Sequence, residues 1–207
     1  MSTALIEPHY LPSLEYFAAI SQCEKVVLEV SEHFVKQTYR NRCVINTSQG
    51  PLTLVVPLAV KGNRIPFRDV RIDDRSRWRT IHWRAIVSSY AKAPFFEHYR
   101  DDLGKLIGQS GPFLLDLDLA LLSFCLKSLG NKIELSETTS YEKTAGPGIL
   151  DLRSAIIAKR PYSDPPRRPI RPYRQVFGNE FVPNLSIVDL LACEGPRAPA
   201  FLRSSDK

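Results

Sequence analysis

The side chains best suited to chemistry gather in Lys36-Gln37-Thr38-Tyr39-Arg40-Asn41-Arg42-Cys43-Val44-Ile45, where three cations fall within seven residues around an aromatic ring and a carboxamide. An apolar hairpin pattern follows, with Val44-Ile45, a polar turn from Asn46 to Pro51, and Leu52 to Leu58. Cations mounted on the lip of a sheet are fixed in place, and fixed Arg forks suit bidentate binding of phosphate or carboxylate. Read the other way, the segment is a solvated edge strand whose Lys and Arg discourage edge-to-edge pairing. The anion-binding set expected from the first reading is Tyr10, Lys36, Tyr39, Arg40 and Arg42, with Lys61 as a supporting charge. His82 is the expected general base, because histidine is the side chain that ordinarily titrates near neutrality. Asp73 or Asp189 would orient it or stabilise its charged form. His82 also lies in an i, i+4 row with Trp78 and Ile86, a setting that equally suits a satisfied core histidine.

Elements able to position these groups read as an alternation of strands and helices. Residues 3–7 and 25–30 are predicted strands, the second with four apolar residues among its six, as expected of burial on both faces. Between them Pro8-His9-Tyr10-Leu11-Pro12 breaks the chain and Ser13 is placed to cap a helix from Leu14 to Ser21. In such an opening ligands gather at the carboxyl ends of the strands, which would bring His9 and Tyr10 to a site. Residues 43–46 and 52–57 are expected to join the same sheet, and 69–73 alternates as a further strand with Val70 and Ile72 inward. The strongest helical periodicities cover 77–92 and 115–129, with Ile81 and Ala85 beside the apolar row of the first and Asp118 on an apolar row of the second. Pro94 to Tyr99 reads as a packing corner, 132–135 as a strand and 150–158 as a weak helix. Residues 159–174 hold five prolines and six cations and are expected to cross the domain surface in extended form, anchored by Tyr162, Ile170 and Tyr173. Ser186 with Asp189 resembles a capping box ahead of a closing apolar helix.

The sequence has 207 residues, of which 43% are hydrophobic and 24% charged, with a net charge of +6 from 28 Lys+Arg and 22 Asp+Glu. That is a globular composition sufficient for one domain over 1–207, and an excess of charge compatible with anionic ligands but too small to argue nucleic acid. No apolar run approaches the roughly 18 residues that span a bilayer. The N-terminal residues do not read as a signal peptide, and the four separated cysteines are expected to be reduced thiols of a cytoplasmic protein. The histidines and cysteines show no metal-ligand spacing, so no metal is expected, and no motif names a cofactor.

Several stretches together resemble the WbqC-like protein family. They are Pro8-His9-Tyr10-Leu11-Pro12 with Tyr16-Phe17, Tyr39-Arg40-Asn41-Arg42, Gly50 with Leu54-Val55-Val56-Pro57, and Asp69-Val70-Arg71-Ile72-Asp73. Trp78 with His82, Ala93-Pro94-Phe95-Phe96, Pro172 to Phe177 and Pro183 to Leu191 continue the series in order. The resemblance implies a bacterial surface-polysaccharide context, and for some members transfer of glycine onto an amino sugar. The chain departs from the pattern at Glu7, where many relatives have Gln, at Glu15, where they have Gly, and at Asp118 and Cys193, where Asn is usual. A Gly-rich stretch that many relatives carry after residue 140 is replaced by the Pro/Arg segment.

The fold expected is α/β, with a central mixed β-sheet flanked by helices. The function expected is a transferase-like step of O-antigen-type polysaccharide biosynthesis, acting on an anionic activated donor such as a nucleotide sugar or an acyl adenylate. The alternative is a non-catalytic nucleotide- or polyanion-binding module; RNA binding through the Pro/Arg segment ranks last, since stacking aromatics are sparse there.

Overall fold

A computed structural model describes residues 2–59, 64–159, 162 and 170–202. Four short strands, β1 (Thr3–Ile6), β2 (Lys25–Leu28), β5 (Glu134–Glu137) and β6 (Ile149–Asp151), form a sheet in the order β5-β2-β1-β6. Every pairing in it is parallel, with Ile6 beside Leu28, Leu28 beside Glu137 and Leu5 beside Asp151, so all the carboxyl ends lie along one edge. Helix α1 (Leu14–Ile20) makes the crossover from β1 to β2, as a parallel pair requires. Its Ser13 makes no side-chain cap bond. Asn184 supplies one from far along the chain, accepting the Glu15 N–H at 2.9 Å and donating to the Glu15 carboxylate at 3.1 Å.

The α/β class holds, but the hairpin does not join the central sheet. β3 (Arg42–Thr47) and β4 (Gly50–Val55) pair antiparallel as a separate two-stranded ribbon, and the four-stranded sheet is wholly parallel rather than mixed. Residues 69–73 make only isolated bridges, Leu58 with Ile72 and Arg71 with Phe113, and 149–151 is a strand where a helix was expected.

The long crossover from β2 to β5 carries the ribbon and three helices, α2 (Trp78–Tyr90), α3 (Phe96–Gln109) and α4 (Leu114–Ser128). The expected row of α2 is buried at Trp78, His82 and Ile86, whereas Ile81 faces solvent. α4 buries Leu114, Leu117, Leu121, Leu122 and Cys125 completely, and each such leucine contributes about 1.5–3 kcal/mol of transfer free energy. α5 (Ile187–Glu194) is buried along its whole length, begins at Ser186, whose side chain accepts the Val188 N–H, and packs against α1, α3, α4 and β3. No helix among the described residues is long and apolar enough to cross a membrane.

Most of the Pro/Arg segment, 160–161 and 163–169, lies outside the described residues. The described anchors Ile170 and Tyr173 are buried, and Tyr162 packs against the core. α5 ends at Gly195, whose φ is +52° and where a Cβ would overlap the Phe95 ring. Gly195→Ala is therefore expected to cost about 1–3 kcal/mol, the range for overpacking, read as a lower urea midpoint at unchanged m-value. An unchanged midpoint would show that the Phe95 corner yields freely.

Candidate functional site

β1 and β2 each end in a carboxylate: Glu7 follows Ile6 and Glu29 follows Leu28, both buried. In open parallel sheets the ligand crevice lies outside the carboxyl ends where strand order reverses. Here that place is between β1 and β6, and both Glu7 oxygens reach across it to accept the Ser154 N–H, at 3.2 and 3.1 Å. His9, two residues on, brings its Nε2 to 3.6 Å from Glu7 Oε1. Its ring lies between Tyr16 and Tyr39, with centroids 4.9 and 5.6 Å away. Both His9 nitrogens are buried: Nδ1 has no hydrogen-bond partner among the described residues, and Nε2 has only the Glu7 carboxylate. Burial holds the imidazole below its usual pKa, and the Arg40 cation pushes the same way, so the ring is neutral at pH 7.

Arg40 comes from a short 3-10 turn, Tyr39–Asn41, at the entry to β3. It is the largest side chain with no solvent exposure. Its Nη2 is ion-paired to Glu32 and stands 3.7 Å from Glu7 Oε1, while Nη1 donates to Thr38 Oγ1 at 3.3 Å. Burial works against ionisation of Glu7, but His9 and Arg40 outweigh it and hold the carboxyl down to about 2. Glu32 goes the other way: burial raises it despite Arg40. Glu29 is saturated, with Oε1 accepting from the Ser31 N–H at 2.9 Å, the Glu32 N–H at 3.1 Å and Thr138 Oγ1 at 2.8 Å. Its Oε2 faces Arg153 Nη1 at 3.3 Å, and Arg153 chelates Asp151 through Nε at 2.9 Å and Nη2 at 2.6 Å. Four carboxylates and two guanidiniums thus share one edge of the sheet.

The residues expected from sequence are distributed over several places. Tyr10 is buried beside this edge; its N–H bonds the Tyr39 carbonyl at 3.0 Å and its hydroxyl meets His82 Nδ1 at 3.0 Å. His82 also has the Val55 carbonyl as partner and stacks edge-on to Trp78 at 5.1 Å; burial drops its pKa to about 4. The ring of His82 thus has the Tyr10 hydroxyl on Nδ1 and the Val55 carbonyl as a further partner. Neither expected carboxylate orients it. Asp73 is chelated by Arg75, at 2.9 Å to Oδ1 and 2.6 Å to Oδ2, and Asp189 accepts at Oδ2 from the Tyr173 hydroxyl at 2.5 Å and Gln175 Nε2 at 3.1 Å. Arg42 is half-buried with Nε unpartnered, Lys36 is exposed, and Lys61 lies outside the described residues. The structure joins Tyr10 with His82 and sets Tyr39 and Arg40 beside Glu7 and His9. Asp73 and Asp189 bond elsewhere.

A family model of WbqC-like proteins matches residues 7–167. The chain belongs to the WbqC-like protein family. It is 28% identical to uncharacterized protein Rv1507c of Mycobacterium tuberculosis (strain ATCC 25618 / H37Rv), over 97% of this chain and 96% of the relative. No solved structure matches it.

Within this WbqC-like chain the residues that sequence reasoning left unassigned are Glu29, Glu32, Asp118, Tyr16 and Arg153. Asp118 is fully buried on α4, and neither of its oxygens has a hydrogen-bond partner among the described residues. Burial holds it well above the usual carboxyl range even though Arg40 pulls it down. In the buried loop that follows β1, Leu11 takes φ +43° between Tyr10 and Pro12, a left-handed conformation that costs a leucine about 1–2 kcal/mol. The loop is held there by the Tyr10–Tyr39 bond and by the Ile187 N–H to the Pro12 carbonyl at 2.9 Å. Strain of this kind, kept in place by surrounding bonds, is characteristic of loops that act at a site.

Proposed function

We propose that this WbqC-like chain is a transferase-like enzyme of surface-polysaccharide biosynthesis. It moves an aminoacyl group, glycyl being the simplest, from an anionic activated donor onto the amino group of a sugar. What carries the reading is His9: a neutral imidazole with a buried, unpartnered Nδ1 and its Nε2 3.6 Å from an ionised carboxylate at the strand-order reversal. A neutral base next to an anion is arranged to accept a proton and have the resulting cation stabilised. In the reaction the acceptor nitrogen forms a bond to the donor carbonyl carbon and its proton passes to His9. The bond from that carbon to the leaving oxygen breaks, and the leaving group departs with the electron pair. The carboxylate excess around Glu7, Glu29 and Glu32 suits an amine-bearing, hydroxyl-rich acceptor. Arg42, Lys36 and Lys61 are the candidates for the donor's phosphates, with Tyr39 and Tyr10 lining the approach. Entry of substrate uncovers His9 by movement of the 8–13 loop, releasing the strain at Leu11.

The test is incubation of the protein with a nucleotide-linked amino sugar and glycyl adenylate, reading the acceptor's mass for one added glycyl residue. His9→Gln is expected to lower turnover about hundredfold, measured at a temperature where circular dichroism shows the variant still fully folded. The wild-type rate is expected to stay level as pH falls to the ordinary histidine pKa of about 6.5, because burial keeps His9 neutral there. Full turnover in His9→Gln, or a rate that halves at pH 6.5, would remove the base from His9.

A further inference from the structure

A cavity opens at the opposite end of α5 from the 8–13 loop, about 12 Å away along an eight-residue helix. Its volume is 560 Å³, within the range of about 300–1,000 Å³ usual for small-molecule sites. Three cations from separate parts of the chain converge on it: Lys92 just past α2, Arg174 on the strap that follows Tyr173, and Arg197 after α5. Glu194 faces them and pairs with Arg197 at 2.8 Å, which leaves two positive charges in excess. The floor and far wall are apolar, from Pro94, Val176 and Phe177. Cys193 lines it as well, but burial pushes its thiol up to about 12, so it is a neutral wall and not a nucleophile.

The walls are built rather than draped. The strap is pinned by Asn46 Nδ2 donating to the Phe177 carbonyl at 3.1 Å. The Gln175 side chain both donates to the Val182 carbonyl and accepts its N–H, each at 2.9 Å. Beneath it, Asp189 ties Tyr173 and Gln175 to α5. The Phe95 N–H bonds the Ala192 carbonyl at 2.9 Å and fixes the Pro94 corner against the same helix. A site whose backbone is already ordered loses little entropy on filling. A neighbouring cavity of 530 Å³ is also lined by Arg174, Gln175 and Val176, so Arg174 borders two spaces.

We propose that this groove binds a phosphate monoester carried on an apolar body, with Arg174 and Lys92 on the phosphate and Pro94, Val176 and Phe177 against the body. The Arg fork takes two phosphate oxygens and the Lys ammonium a third, while an apolar floor rejects free inorganic phosphate in favour of an ester. Neither His9 nor Glu7 takes part, so the site stands whether or not the transfer reaction does.

Titration calorimetry of the full chain with adenosine monophosphate tests it, with adenosine and inorganic phosphate as separate arms. The monoester is expected to bind at least about tenfold more tightly than either part alone. Arg174→Ala and Lys92→Ala, both at exposed positions, are each expected to weaken it about tenfold with an unchanged melt, the scale of one charge-assisted hydrogen bond. Glu7→Gln is expected to leave it unaltered. Absence of binding by the wild type at millimolar nucleotide would overturn the proposal, as would equal binding of adenosine or full affinity in Arg174→Ala. Loss of binding in Glu7→Gln with Arg174→Ala unaffected would move the ligand to the sheet edge and overturn it too.

Discussion

Arg40→Ala is expected to destabilise the protein by about 3–5 kcal/mol, the cost of removing one partner from a buried ion pair. The guanidinium has no solvent exposure, pairs with Glu32 and lies 3.7 Å from Glu7. Its removal leaves two carboxylates facing each other at the sheet edge, with Asp118 beneath them losing the cation that moderates its burial. Arg40→Met, which keeps most of the volume, is expected to recover little, because the missing quantity is charge. Equilibrium urea denaturation at pH 7 reads both variants. A double variant, Arg40→Met with Glu32→Gln, should regain part of the loss, since it removes one of the two stranded carboxylates. If Arg40→Ala left the midpoint unchanged, Arg40 would not be structural, and a direct role as a phosphate clamp would regain its force.

That expectation reverses part of what the Lys36–Arg42 run suggests. Three cations in seven residues were legible, but not that the middle one turns inward, because burial of an arginine depends on carboxylates supplied by other strands. The signal for those carboxylates was present in another form. Thr3-Ala4-Leu5-Ile6 and Lys25-Val26-Val27-Leu28 are each followed directly by glutamate, and a charge immediately after a parallel strand lies at the sheet's carboxyl edge. Helices α2, α4 and α5 were legible from their 3.6-residue periodicity. Helix α3 was not, since Gly104 and Gly108 lower its helix propensity; Gly104 is required because the Trp83 ring sits 2.9 Å from where a Cβ would be. The separation of the β3–β4 ribbon from the parallel sheet was illegible for a different reason. Apolar alternation identifies a strand but not its neighbour, and β1 chose a three-residue strand, Ile149–Asp151, more than 140 positions away. Likewise the helical row of His82 gave no sign of its partners, the Tyr10 hydroxyl and the Val55 carbonyl, which come from elsewhere in the chain.

Acid will destabilise the protein through Glu7, and Glu7→Gln will abolish that part of the loss. The folded carboxyl titrates at about 2 against a reference of 4.5, since His9 and Arg40 together outweigh the burial that opposes ionisation. A carboxyl depressed in the folded state binds fewer protons there than when unfolded, so its contribution is complete above the unfolded value and is lost as pH falls toward the folded one. At about 1.4 kcal/mol per pH unit, the contribution available between pH 4.5 and 2 is about 3 kcal/mol. Glutamine keeps an oxygen that can accept the Ser154 N–H and introduces no titration. The difference in unfolding free energy between wild type and Glu7→Gln, measured by denaturant at intervals from pH 7 to pH 2.5, should therefore be constant down to about pH 4.5 and then swing against the wild type. Asp118 acts in the opposite sense: raised by burial, it costs stability as pH rises through the carboxyl range and that cost is relieved in acid, so the wild-type curve alone will understate Glu7. Comparing the two proteins cancels Asp118, which both retain. A difference that stays flat to pH 2.5 would mean that Glu7 is not held ionised by His9 and Arg40, and the neutral base beside an anion, on which the proposed transfer chemistry rests, would lose its anion.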